Sequence, residues 1–324
     1  MEGASTTAEG AYSHAEGCET QTIGEKSHAE GDMSYAEGDS AHAEGISTEA
    51  YGNGSHAEGN MTAAFGVQSH AEGINTTTFG ASSHAEGEKT TAFGKNAHAS
   101  GGSYKRAMDA GVTSETSLID IEAAWKALGS DQRFNIAAGP NSHTEGFNTL
   151  ALNSGSHAEG RATKASGMYA HSEGEVTIAS GDYSHVEGQQ SVASGKYSHA
   201  EGSMTTASGD HSHASGRKTV ASGKNSAAFG QTTTASSENQ FVVGQYNKEN
   251  ADAMFIVGNG TGSTAAKKNN AFEVLKDGTA NLNNLPIANV GKGGLIQWGT
   301  KDTPEEALEA GEITAACQIY IKLA

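Results

Sequence analysis

Glycine returns every seventh residue. The series from Gly3, Gly10, Gly17 and Gly24 runs unbroken to Gly101, resumes at Gly139 and continues with a few substitutions to Gly258. The heptads alternate in kind. One reads Ser-His-Ala-Glu-Gly, as at residues 13–17, 27–31, 55–59 and 83–87; its neighbour reads Thr-x-Ala-Phe-Gly or Thr-x-Ala-Ser-Gly, as at 62–66, 90–94, 163–167 and 205–209. The true repeat is therefore 14 residues, and of the 14 histidines only His211 lies off it. A period this strict signals a stacked architecture.

Seven residues are too few for a helix and a turn, but they suit a five-residue strand and a two-residue corner. With glycine as position 7, positions 3, 5 and 7 are small, while 4 and 6 carry the larger groups. That period-2 alternation predicts strands. Two strands and two corners make one coil, and each strand pairs with its copies above and below at ~4.8 Å. A helical alternative fails, because glycine costs ~1 kcal/mol at each helix-interior position and the chain has 43. The small face is expected to point inward, with His, Glu and Phe outward. Large apolar residues are scarce along the repeats, so one chain can hardly offset its ordering entropy alone, and association is expected.

These Ser-x-Ala-x-Gly heptads resemble the YadA-like head domain of trimeric autotransporter adhesins, over residues 3–101 and 139–258. The Ser-His-Ala-Glu-Gly form, with His and Glu at positions 4 and 6 in place of that family's Val and Ile, also resembles repeats of bacteriophage tail-fibre proteins. The resemblance implies an all-β fold, a left-handed parallel β-roll solenoid of 14-residue coils, and a homotrimer. It leaves the biological setting open; the leading reading is a phage or phage-like tail fibre that attaches to a host-surface glycan or protein receptor. The head of a bacterial surface adhesin is the alternative, so the location is a virion tail fibre or the extracellular bacterial surface.

The net charge is −18, −54 for a trimer, which argues against nucleic acid or an anionic membrane as partner. No apolar run is long enough to span a bilayer. Met1 leads at once into the in-phase Gly3, so no signal peptide is expected, and no β-barrel anchor is read at the C-terminal end. Cys18 and Cys317 do not make a disulfide framework.

The chain divides into a first roll at 1–101, an insertion at 102–138, a second roll at 139–258, a closing turn and hairpin at 259–284, and a tail module at 285–324. Within the insertion, residues 117–129 read as an amphipathic helix with Leu118, Ile121, Trp125 and Leu128 on one face, capped by Ser114 or Ser117 and ended by Gly129. An insertion in a solenoid either buries its apolar face on the roll or presents new surface. On the second reading Tyr104, Trp125, Arg133 and Phe134 are candidate receptor contacts. The apolar heptads at 241–244 and 255–258 close the second roll. Residues 272–282 form a hairpin about Lys276-Asp277-Gly278, 303–311 a short helix, and 318–323 a strand. The stretch 258–278 is also similar to segments near the ends of phage fibre proteins.

No catalytic motif is present: His-Ala-Glu-Gly is not His-Glu-x-x-His, and there is no Walker pattern or Gly-x-Ser-x-Gly. Neither catalysis nor a cofactor is expected. Histidine with carboxylate suits zinc or nickel, but equivalent sites repeated at every coil are unlike an isolated metal site, and no metal is assigned. The pairs are read instead as a hydrogen-bonded ladder at the trimer interface: His14 with Glu16, His28 with Glu30, His42 with Glu44, His56 with Glu58, His70 with Glu72, His84 with Glu86, His143 with Glu145, His157 with Glu159, His171 with Glu173, His185 with Glu187, and His199 with Glu201. Adjacent carboxylates are expected to favour the charged imidazole. Variable residues of the other heptads (Ala64, Thr78, Lys164, Ile178, Val192) suggest a solvent face.

Overall fold

The computed structural model describes residues 2–103, 105–128 and 133–282, and the backbone of strands Leu285–Ala288, Ile296–Gly299 and Ile319–Lys322. Tyr104, Gly129, Cys317 and the expected helix at 303–311 lie outside the described residues. The chain forms two compact units, residues 1–197 and 198–324.

The first unit is a parallel β-solenoid with 14-residue coils. Each coil gives a strand of up to five residues to one sheet (His14–Cys18, His28–Asp32, His42–Ile46) and a shorter strand to a second (Gln21–Thr22, Tyr35–Ala36, Glu49–Ala50). Pairing is in register at a 14-residue offset: His28 opposes His42, Ala29 opposes Ala43, and Glu30 opposes Glu44. The corners are tight. Ser27 returns to Gly24 through its backbone N–H at 3.3 Å and its hydroxyl at 2.6 Å, and Lys26 between them has φ +56°. Serine at position 3 is thus a corner clamp as well as a small core residue.

The small face points inward. Ala29, Ala43, Ala57 and Ala71 of the first sheet are fully buried against Ala36, Ala50 and Ala64 of the second. Outward residues stack on their own kind, as in the column Tyr51, Phe65, Phe79, Phe93 with ring centroids 4.8–5.7 Å apart. The glycines allow the coils to stack. A Cβ at Gly66 would lie 2.0 Å from the carbonyl oxygen of Gly80, and one at Gly73 would lie 2.2 Å from that of Gly87, with φ +106° besides.

The insertion folds back onto the outer face of the second sheet. Helix Leu118–Ala127 begins at Ser117, whose hydroxyl accepts the Asp120 N–H. Ile121 and Trp125 are buried, and Leu118 and Leu128 partly so, against Ile136, Leu150, Leu152 and Phe93 of the roll. Positions 4 and 6 therefore turn apolar in the coils under the helix. Asn135–Ala137 is itself a rung, pairing with Thr90–Ala92 and Leu150–Ala151. His98 pairs directly with His143, so one coil takes 45 residues where the others take 14. Ala64 and Thr78, read as solvent-facing, are fully buried, and Lys164 does not face solvent as expected either. Its ammonium is buried beneath the helix and paired with Glu122.

In the second unit, His199–Ser203, His213–Arg217, Ala227–Gln231, Phe241–Gln245 and Ala253–Asn259 stack in parallel order. The pattern then reverses. Ala253–Asn259 pairs antiparallel with Asn270–Leu275, which turns at Gly278 to pair with Ala280–Leu282. Val242 and Ile256 are fully buried, and buried Gln240 donates to the carbonyls of Asn250 and Ala253 at 2.8 Å. Ile296–Gly299 and Ile319–Lys322 form a separate parallel pair.

If backbone contact sets the repeat, Gly73→Ala should destabilise the unit by about 2–4 kcal/mol through overlap and left-handed strain. Asn75→Gly, at a corner with φ +59°, should change it by less than about 1 kcal/mol. Urea unfolding of both variants measures the difference, and equal effects would refute the contact argument.

Candidate functional site

The outer face of the first sheet in unit 1 is a column of imidazoles. From His14 to His185, rings of successive coils lie 4.6–5.0 Å apart, most of them nearly parallel. His199 and His213 repeat the arrangement in unit 2 at 4.7 Å. Each strand fixes its ring, because the period of two sends His and Glu to the same side. The glutamates line two troughs floored by bare glycine backbone. One, of about 420 Å³, is bordered by Glu58, Glu72 and Glu86, and the other, of about 380 Å³, by Glu145, Glu159, Glu173 and Glu187.

From His14 to His157 the imidazoles of one chain do not hydrogen-bond its carboxylates well. The Nε2 atoms stand 3.4–3.9 Å from the nearest carboxylate oxygen, as for His14 with Glu16 and His56 with Glu58, beyond good hydrogen-bond range. The Nε2 atoms of His42, His56, His70, His143, His157 and His171 are buried and make no hydrogen bond in the chain. Glu72 and Glu159 each lie between two successive imidazoles: Glu159 is 3.8 Å from His157 and 3.6 Å from His171.

The expected charged imidazoles are not what this geometry favours. Burial, followed by the neighbouring imidazoles, lowers His42, His56, His70, His143 and His171, and pushes His157 down to about 4. The carboxylates act in the opposite sense but more weakly, because stacking sets like groups against each other at every level. The glutamates show the same crowding. Hydrogen bonds to Glu173 and Glu145 raise Glu159 to about 7, and Glu145 and Glu173 are lowered in return.

Among the described residues, successive coils bring two imidazoles and a carboxylate within 4.8 Å of one another, as at His56, Glu58, His70; His70, Glu72, His84; His143, Glu145, His157; His157, Glu159, His171; and His171, Glu173, His185. The donor types suit zinc or nickel, but the geometry does not converge. Rings 3–5° from parallel aim their lone pairs side by side, so the stack would have to open for two of them to meet one ion.

The candidate receptor contacts in the insertion need correction. Phe134 is fully buried and Trp125 is 2 % exposed. The Trp125 indole N–H donates to the Phe134 carbonyl at 3.1 Å, and the Arg133 guanidinium lies over the indole at 3.9 Å. These residues are the insertion's core and its cover, because the helix spends its apolar face on the roll. A different set of exposed aromatics stands in the corners. Tyr169, Tyr183 and Tyr197 recur at 14 residues, and that spacing was the available signal.

Because the six lowered imidazoles favour the neutral form, their stabilisation is complete above the unfolded value of ~6.5. It is lost as pH falls through the folded values, down to about 4 at His157. Glu159 works the other way over part of that window, as one group against six. The thermal unfolding midpoint should therefore fall between pH 7 and pH 4.5, and fall less in a His157→Gln, His171→Gln variant. A midpoint that rises on acidification would put the carboxylates in control.

Residues 57–83, 85–102, 200–226 and 221–239 match the YadA head domain repeat (2 copies). No curated protein matches the chain. Among the described residues no helix is long and apolar enough to cross a membrane. The 14-residue coils, the inward alanines and the matched segments agree: stretches in both units match YadA head domain repeats, and they fold as a parallel β-solenoid.

Proposed function

We propose that the chain is a homotrimeric fibrous attachment protein, a segment of a phage or phage-like tail fibre with a receptor-binding surface for the host cell. The observation that carries this reading is the sameness of the imidazole and carboxylate face. Coil after coil offers stacked rings with buried, unsatisfied Nε2 atoms beside a glutamate trough. A face repeated at strand spacing suits a partner with the same repeat, and a second and third copy of the chain have it. Buried nitrogens that lack a hydrogen bond are costly, and glutamates across an interface would supply the missing acceptors. The small-residue core of the coils, mostly alanine, serine and threonine, points the same way, since it leaves little apolar burial inside one chain. In this reading the protein is an extracellular or virion scaffold rather than a catalyst. The Ser-His-Ala-Glu-Gly form of the repeat and the similarity of the stretch 258–278 to segments near the ends of phage fibre proteins support the phage setting. The match to the YadA head domain repeat supports a second reading, the head of a bacterial trimeric autotransporter adhesin.

Sedimentation should give a trimer at micromolar concentration, and a folded monomer would sink the proposal. His70→Ala with His84→Ala should weaken assembly at least tenfold, about 1.4 kcal/mol, against little change for Ile178→Ala with Val192→Ala on the other sheet. Equal assembly of the two pairs would move the interface off the histidine face. Labelled trimer should bind bacterial cells in the phage reading; binding to animal extracellular matrix in place of bacteria would favour the adhesin.

A further inference from the structure

The second residue of each corner is left-handed. At Tyr169, Tyr183 and Tyr197 φ is +53°, +57° and +55°. That region costs most side chains ~1–2 kcal/mol and suits Gly and Asn best. The same corner column uses the favourable residues elsewhere: Asn96 and Asn141 in unit 1, hydrogen-bonded side chain to side chain at 3.1 Å, and Asn225 and Asn239 in unit 2 at 3.0 Å. Three consecutive coils forgo that solution for tyrosine. The rings stack at 5.5 and 5.0 Å, inclined by 19° and 7°. They stay about half exposed, at 55 %, 47 % and 53 %. The first rung lies over Gly155, where a Cβ would meet the Tyr169 ring at 2.5 Å. Beside the rungs, Asp182 accepts the Met168 N–H at 3.1 Å and pairs with Lys196 at 3.2 Å.

We propose that Tyr169, Tyr183 and Tyr197, flanked by the ion pair of Asp182 and Lys196, form a contact ladder for an extended, neutral pyranose chain of a cell-surface polysaccharide. This rests on the attachment reading and gives it a site. Offset-stacked rings leave part of each face open, and an open phenol face with a hydroxyl at its rim matches the C–H face and hydroxyls of a pyranose. The ring spacing is close to the rise per sugar of an extended pyranose chain, so successive sugars meet successive rungs. Tyrosine has few rotatable bonds to freeze on binding, and stacking has already ordered these three. The ladder is one side chain wide, which suits a thin linear polymer; a stable protein partner needs ~800 Å² per side. The net charge of −18 selects against polyanionic polymers.

The test is the full chain against Tyr169→Asn, Tyr183→Asn, Tyr197→Asn combined. Asparagine is the residue this column uses elsewhere, so the triple variant should melt at or above the parent's temperature. Both proteins are applied to immobilised neutral glucan, mannan and N-acetylglucosamine polymers, with an anionic polysaccharide as control. The parent should bind at least one neutral polymer, and the variant should lose at least tenfold in affinity. No binding by the parent to any neutral polymer, or equal binding by the variant, overturns the ladder. A cell-binding arm separates the two readings. Cell binding kept in full by the variant leaves attachment standing and removes the ladder. Binding abolished by protease but untouched by periodate makes the occupant a protein and overturns the glycan. A parent that binds no cells but binds polysaccharide through the three tyrosines upholds the ladder and removes the attachment reading.

Discussion

Coils in this protein approach until backbone touches backbone at glycine, and no Cβ fits between them. At Gly17, Gly66, Gly73 and Gly216 an added Cβ would come within 1.9–2.2 Å of the carbonyl oxygen of the next glycine in the stack. The spacing between coils is thereby held at strand-pairing distance along whole columns. One consequence is a core reduced to alanine, serine and threonine. Another is that every outward position stacks on its own equivalent, histidine on histidine and asparagine on asparagine.

Such columns amplify whatever chemistry they carry. A lone surface histidine beside a glutamate would gain charge from it. Here each inner imidazole has another above and below, and most of its surface is withdrawn from water, so burial and like neighbours outweigh the carboxylate. Among the glutamates, hydrogen bonds to Glu173 and Glu145 raise Glu159 and lower those two neighbours. Neutral rings held in register with unsatisfied nitrogens make a face better suited to a partner's acceptors than to water.

The insertion shows how the solenoid accepts extra chain without losing register. The detour leaves after the rung at His98–Ala99 and returns in time for Asn135–Ala137. Its helix lies on positions that are outward in every coil and that here carry Ile136, Leu150 and Leu152. Trp125 is thereby spent on the roll, and the pairing of Lys164 with Glu122 pins the helix from the sheet side.

The sequence alone determined the 14-residue coil, the strand-corner alternation, the inward small face, the apolar face of the insertion helix and the hairpin after Gly258. Each of these is a local period or a turn signal, and glycine at every seventh place leaves few other ways to stack. The tertiary structure decided what depends on neighbours from other coils. Histidine protonation was misjudged because the carboxylate two residues away is visible in sequence, whereas the rings 14 residues either side count only once stacked. Trp125, Phe134 and Lys164 could not be assigned to core or surface until the helix was placed on the sheet. The left-handed corners were hidden, because Met, Tyr, Lys and Val occupy them as readily as Asn; the stacked coils on either side impose that conformation, and the local residues do not choose it.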